Sequence, residues 1–204
     1  MVAVPLISGI KGSQSGEFKR SYPLNLEPVP IDSKISKGQL RLAAGATQTA
    51  LGLGIDRGGI LWNSKCYRVM GTQLVSVEQN GSVTNLGGVG EGGPVSMDFG
   101  FDRLAINSGD RLYYYNINSL TPVTDPDLGP VKDMLWVSGF YMTTDGTSIV
   151  VTESSDPMSV LPLKYGSAEE DPDQITGLIK VRGEVYVLGT NTIQVMELVG
   201  GNGF

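Results

Sequence analysis

The fold is decided by one stretch: Val131-Lys132-Asp133-Met134-Leu135-Trp136-Val137, then Ser138-Gly139, Phe140-Tyr141-Met142-Thr143, Thr144-Asp145-Gly146-Thr147 and Ile149-Val150-Val151-Thr152. Three short runs rich in β-branched and aromatic residues are separated by pairs and quartets of Ser, Gly, Asp and Thr. The runs suit pleated strands, and the spacers supply residues that tolerate positive φ in tight hairpins. The stretch therefore reads as a three-strand antiparallel meander.

The same grammar recurs on both sides. An earlier copy runs through residues 60–62, 66–70 and 74–77, with Asn63-Ser64-Lys65 and Gly71-Thr72 as turns. A second occupies 95–101, 103–106 and 112–117, and a last one occupies 175–181, 185–188 and 193–198. The copies begin at Ile60, Val95, Val131 and Ile175, at spacings of 35, 36 and 44 residues. Gly93-Pro94-Val95 and Gly129-Pro130-Val131 open two of them alike. A fourth segment follows each of the first three copies, at 82–86, 120–124 and 158–165. Pro122 and Pro162 in two of these suit an edge strand, where a missing N–H removes no ladder bond. A period near forty residues built from antiparallel strands marks propeller blades. The fold class is thus all-β, with propeller-like antiparallel β-meander blades at 57–91, 92–128, 129–172 and 173–204. Another meandering all-β domain is the alternative that periodicity leaves open. No long segment of period 3.6 competes.

Residues 1–56 read as an irregular N-terminal arm. Gly9, Gly12, Gly16, Pro23, Pro28 and Pro30 interrupt each apolar run, leaving short strands such as 39–42. Such an arm either serves a partner or lies over its own domain. Copy four shows no outer strand, and Gly200-Gly201-Asn202-Gly203-Phe204 reads as a loop cut short, so the propeller is expected to be incomplete and to continue.

Composition narrows the chemistry. Fifteen Lys and Arg against twenty-one Asp and Glu give a net charge of −6, which argues against general phosphate-backbone binding. There is no histidine, so Ser-His-Asp, Cys-His and His-metal machinery are excluded from this chain. Cys66 is the single cysteine and reads as a small buried apolar side chain. The opening Met1-Val2-Ala3-Val4-Pro5-Leu6-Ile7 lacks the basic start of a secretory signal, and no run is long enough to span a bilayer. The expectation is a soluble product made in the cytoplasm.

Each candidate site has a plainer reading. Glu169-Glu170-Asp171-Pro172-Asp173 and Asp125-Pro126-Asp127 could attract a hard cation, but neither has calcium-loop spacing, and solvated acidic turns account for both. Thr143-Thr144-Asp145-Gly146-Thr147 approaches the repeated Asp hairpin of glycosidase propellers but lacks its spacing and closing aromatic. Gly52, Gly54, Gly58 and Gly59 imitate a phosphate loop without the helix it needs. Asn80-Gly81-Ser82 reads as a hairpin turn. Tyr113-Tyr114-Tyr115 could stack on sugars or bases, yet alternation puts Tyr113 and Tyr115 on one face and Tyr114 on the other, as packing would require. Trp62 and Trp136 sit in equivalent strands and read as core. No catalytic, cofactor-binding or metal-binding residue is assigned, and no cofactor is expected.

Several of these segments resemble the packaged-DNA stabilization proteins, or tail accessory hub proteins, of P22-type short-tailed phages. The carrying residues are Val95-Ser96-Met97, Val131-Lys132-Asp133-Met134, Phe140-Tyr141 with Thr144-Asp145-Gly146-Thr147, and Asp173-Gln174-Ile175-Thr176-Gly177. Gly189-Thr190-Asn191-Thr192-Ile193-Gln194-Val195-Met196-Glu197-Leu198 matches best, and Asn25-Leu26-Glu27-Pro28 matches the opening. The resemblance implies a structural, non-enzymatic virion component, assembled in the host cytoplasm. It implies a homo-oligomeric ring that joins the portal or portal-extension factor to tailspikes and tail needle and helps retain packaged DNA. Membrane and sequence-specific nucleic acid are not expected partners. A carbohydrate-binding or glycoside-cleaving propeller tail protein is the alternative, marked by a cleft lined with Tyr and carboxylates.

Overall fold

The computed structural model describes residues 25–30, 38–48, 51–100, 102–154, 156–167 and 173–197. All regular structure among these residues is β-strand. The chain divides into two units, residues 1–48 and 49–204.

In the first unit β1 (Leu26–Pro30) pairs antiparallel with β2 (Gly38–Leu42), Leu26 opposite Leu42. Two prolines in β1 are tolerated because a two-stranded ribbon consists of edges. Residues 1–24 and 31–37 of the expected arm lie outside the described residues. The arm does not extend to residue 56, because Ile55 already accepts a hydrogen bond from Gly71 N–H at 2.8 Å within the second unit.

The second unit contains four antiparallel sheets, each a meander in chain order. The first holds β3 (Asp56–Trp62), β4 (Lys65–Met70), β5 (Gln73–Val77) and β6 (Val83–Gly88). The second holds β7 (Ser96–Phe99), β8 (Leu104–Ser108), β9 (Arg111–Tyr115) and β10 (Leu120–Pro122). The third holds β11 (Asp133–Val137), β12 (Phe140–Thr144), β13 (Ser148–Thr152) and β14 (Val160–Ser167). The fourth holds β15 (Ile175–Val181), β16 (Glu184–Gly189) and β17 (Ile193–Met196), with residues 198–204 outside the description.

Turn chemistry sets the registers. The first hairpins of sheets one, three and four close on Asn63-Ser64, Ser138-Gly139 and Arg182-Gly183, and all six residues have positive φ. This backbone twist matches that of the flanking strands. At the next turn Gly146 has φ 97°, and the Asp145 carboxylate accepts the N–H groups of Thr147 and Ser148 at 2.7 and 2.6 Å. The first strand of the second copy is shorter than the expected 95–101. Gly100 N–H leaves the ladder and donates to Arg103 O at 3.0 Å and to the Tyr141 hydroxyl at 2.9 Å.

Three apolar clusters alternate with the four sheets. Trp62, Tyr67, Val69 and Leu74 of sheet one meet Leu104, Ile106, Tyr113 and Tyr115 of sheet two. The opposite face of sheet two sends Ala105, Leu112 and Tyr114 against Met134, Tyr141, Val150 and Val160 of sheet three. The far side of sheet three sends Leu135, Val137, Phe140, Met142, Ile149 and Val151 against Ile175, Leu178, Val185 and Val187 of sheet four. Sheets two and three are therefore buried on both faces, and every residue of β8 and β12 is buried. Met142 is fully buried, and Met142→Ala is expected to cost about 2–5 kcal/mol, read as a fall in the urea midpoint with unchanged slope.

Candidate functional site

The candidates read from the sequence scatter into packing and turns. Tyr113 and Tyr115 point into one cluster and Tyr114 into the next, so the run stitches sheet two to both neighbours. Trp62 is buried beside Tyr67 and Tyr115, with ring centroids at 5.6 and 6.4 Å. Trp136 is only half-buried, and Lys180 lies over its ring at 5.5 Å. Cys66 is half-buried rather than buried, because it sits on the face of sheet one turned away from sheet two.

The acidic stretches organise loops. Asp173 accepts the N–H groups of Asn191 and Thr192 at 2.6 and 2.9 Å, and these bonds hold its carboxyl below the usual range. Glu169, Glu170, Asp171 and Pro172 lie outside the described residues. Asp125 likewise accepts from Val160 and Asp127 N–H, both at 2.9 Å, and its pKa is lowered by them. Among the described residues no three of His, Cys, Asp and Glu converge as metal ligands. Gly58 is at a register shift in β3, with φ 147° and no room for a Cβ against Val95, so these glycines serve strand packing. Gly81 has φ 87° in the Asn80-Gly81 turn, where Asn80 accepts Ser82 N–H at 2.9 Å.

The residues that the sequence did not single out are those joining one sheet to the next. Asp98 on β7 accepts Trp136 N–H of β11 at 2.7 Å. Asp133 on β11 accepts Leu178 N–H of β15 at 2.8 Å. Lys180 then reaches back to Trp136 O at 2.6 Å and to Asp98 at 3.3 Å, tying three sheets together. Across the first seam Arg57 donates to Gly93 O, Gly71 O, Gly90 O and Ser108 Oγ at 2.7 to 2.9 Å. Tyr141 donates to Arg103 O at 3.1 Å. For Arg57, Asp98, Asp133 and Lys180 the signal in the sequence was a charge in the first strand of its copy.

Two features of the described surface lie outside these seams. A concavity of about 430 Å3 lies between β9, β10 and the connection to sheet three. Leu112, Leu128, Pro122 and Pro130 line it together with Asp110, Arg111 and Asp125. Asp110 is already paired with Lys132 at 2.9 Å, and Asp125 holds its loop. The other surface is the open face of sheet four, where Ile179, Val181, Ile193 and Val195 are all exposed.

Stacked antiparallel meanders joined in chain order through their faces define the β-propeller class of fold. The chain belongs to the phage stabilisation family described as "Bacteriophage P22 Gp10, beta-propeller", whose match runs over residues 2–204. Solved structures bear out the fold. BamB from Moraxella catarrhalis superposes with a TM-score of 0.54 at 10% identity, over 74% of this chain and 46% of that one. The computationally designed Ika4 protein gives 0.54 at 8% identity, over 76% of this chain and 99% of its own. A virginiamycin B lyase from Staphylococcus aureus gives 0.52 at 9% identity, over 87% and 64%. The chain thus spans under half of BamB and under two thirds of the lyase. No curated protein sequence matches it.

The seams yield two expectations. Asp98→Ala strips a charged acceptor from Trp136 N–H and from Lys180, and should cost about 2–3 kcal/mol in urea unfolding. Asp102→Ala removes only an exposed neighbour pair with Arg103, and should cost under about 1 kcal/mol. Burial pushes the Tyr141 hydroxyl up to about 12 from 10.0. The unfolded chain therefore releases this proton first, and stability falls as pH rises from 10 toward 12. Tyr141→Phe should remove about 2 kcal/mol of that alkaline slope, measured as urea midpoints against pH.

Proposed function

We propose that this chain is part of a phage tail hub, a rigid propeller body that joins the portal extension to tailspikes and tail needle and helps retain packaged DNA. Family membership supplies the phage context and the propeller. The observation that carries the reading further is where the polar chemistry goes. Arg57, Asp98, Asp133, Tyr141 and Lys180 are spent on bonds between sheets, and Asp125 and Asp173 on loops. Such side chains stiffen a scaffold and leave shape and apolar surface to recognise partners. In this reading the hub acts without bond chemistry, as a homo-oligomeric ring in the virion. Its partners are proteins, which suits a net charge of −6.

The carbohydrate reading requires a cleft where tyrosines face carboxylates. Tyr113, Tyr114 and Tyr115 are packed into cores, and no aromatic side chain is among the described residues lining the concavity. These placements favour the scaffold.

The test is direct binding. Purified chain is passed over immobilised portal, portal-extension, needle and tailspike proteins of its phage, and saturable retention by at least one is expected. Retention by none, or turnover of a sugar polymer by the purified chain, would overturn the hub reading.

A further inference from the structure

Most cations of the described residues are held by acceptors of this chain. Arg57 is taken up by the first seam, and Lys180 by Trp136 O and Asp98. Lys65, Arg68, Arg103 and Lys132 pair with the carboxylates of Glu78, Asp56, Asp102 and Asp110. Arg111 is different. It is exposed at the start of β9 and has no acceptor among the described residues. It is also a wall residue of the concavity of about 430 Å3 beside β9, β10 and the link to sheet three.

The ten lining residues all fall between Asp110 and Pro130, so the hollow is formed within the stretch that joins two inner sheets. Buried Leu112 and Leu128 and half-buried Val123 give it aliphatic surface. Pro122 and Pro130 add ring surface and carry no N–H. A Cβ at Gly129 would meet no atom within 4 Å, so the space beside the link is open. Two carboxylates also lie on the wall, and both are engaged. Asp110 pairs with Lys132 at 2.9 Å. Asp125 accepts Val160 N–H on one oxygen and Asp127 N–H on the other, each at 2.9 Å. The charged group of the wall left to bind a visitor is the Arg111 guanidinium.

A guanidinium grips a carboxylate through two parallel N–H donors, and the pairing strengthens beside apolar surface, where the local dielectric is low. An aliphatic side chain next to that carboxylate would bury its surface against Leu112, Val123 and Leu128. We propose that the concavity receives an acidic peptide segment of a partner protein, one carboxylate on Arg111 and an adjoining aliphatic side chain in the hollow. The inference deepens the docking reading and rests on it only for which protein presents the segment. Retention on the tail proteins is a separate measurement, so either result can fail alone.

Nuclear magnetic resonance titration of the 204-residue chain tests it with blocked tripeptides that carry glutamate, glutamine or lysine between two leucines. The glutamate peptide is expected to shift the amide signals of Leu112, Leu128 and Gly129 and to saturate with a dissociation constant of about 1 mM. The glutamine peptide, and the glutamate peptide on Arg111→Gln, should each bind about tenfold more weakly. Thr124→Trp fills the hollow from an exposed position on its wall and should abolish the shifts. Unchanged amide signals in sheets one and four would show that both variants fold. No saturable shift at up to about 10 mM peptide would overturn the proposal. Equal binding of the glutamate and glutamine peptides, or no effect of Arg111→Gln, would overturn it too. Tighter binding of the lysine peptide would give the hollow to a cation held by Asp110 and Asp125 and overturn it as well.

Discussion

A four-stranded meander of strands this short has two faces and too little depth to hide either from water by itself. In this chain both faces of the inner sheets are apolar. Each inner sheet packs between two others, and that arrangement orders much of the rest. It explains why residue positions in β8 and β12 are buried without alternation, and why Tyr113 and Tyr115 serve one cluster while Tyr114 serves the next. Most of the exposed large apolar side chains among the described residues of the second unit lie on sheets one and four and the segment entering β3.

Packing of this kind is non-directional, and apolar faces alone could slide. Direction comes from a small set of polar bonds laid across the seams. Asp98 and Asp133 each accept a main-chain N–H from the first strand of the following sheet, which fixes the height of one sheet against the next. The Arg57 guanidinium gathers three carbonyls and a hydroxyl where sheets one and two meet. Removing one such partner leaves an N–H in a half-buried seam with no acceptor, and that is costlier than the bond is stabilising. The family is that of a phage β-propeller protein, and in this chain Arg57, Asp98, Asp133, Tyr141 and Lys180 join one sheet to the next.

Much of the fold was legible because its signals are local. Alternating Val, Ile and Tyr runs mark strands, and pairs such as Ser138-Gly139 and Asp145-Gly146 mark turns whose positive φ the structure shows. The limits of strands were less legible where a tertiary bond competes with the ladder. Gly100 illustrates this, since its N–H goes to a tyrosine forty-one residues away. The site was least legible. Asp98 and Lys180 are ordinary charged residues in their own segments, and only stacking brings them to 3.3 Å across a separation of eighty-two residues. Cys66 shows the same limit. Strand alternation places it on one face, but whether that face is covered depends on a neighbour that local sequence does not name.

Lys180 has one more consequence. Stacked-repeat architectures ordinarily couple only adjacent units, so they can fray from an end one unit at a time. The Lys180 ammonium instead grips a carboxylate two sheets away, with the Trp136 carbonyl held on the route. Peeling off the fourth sheet must release that grip on the second. Fraying from this end is therefore more cooperative than the three separate apolar clusters alone would make it, and a pull applied at the last sheet is shared by the body behind it.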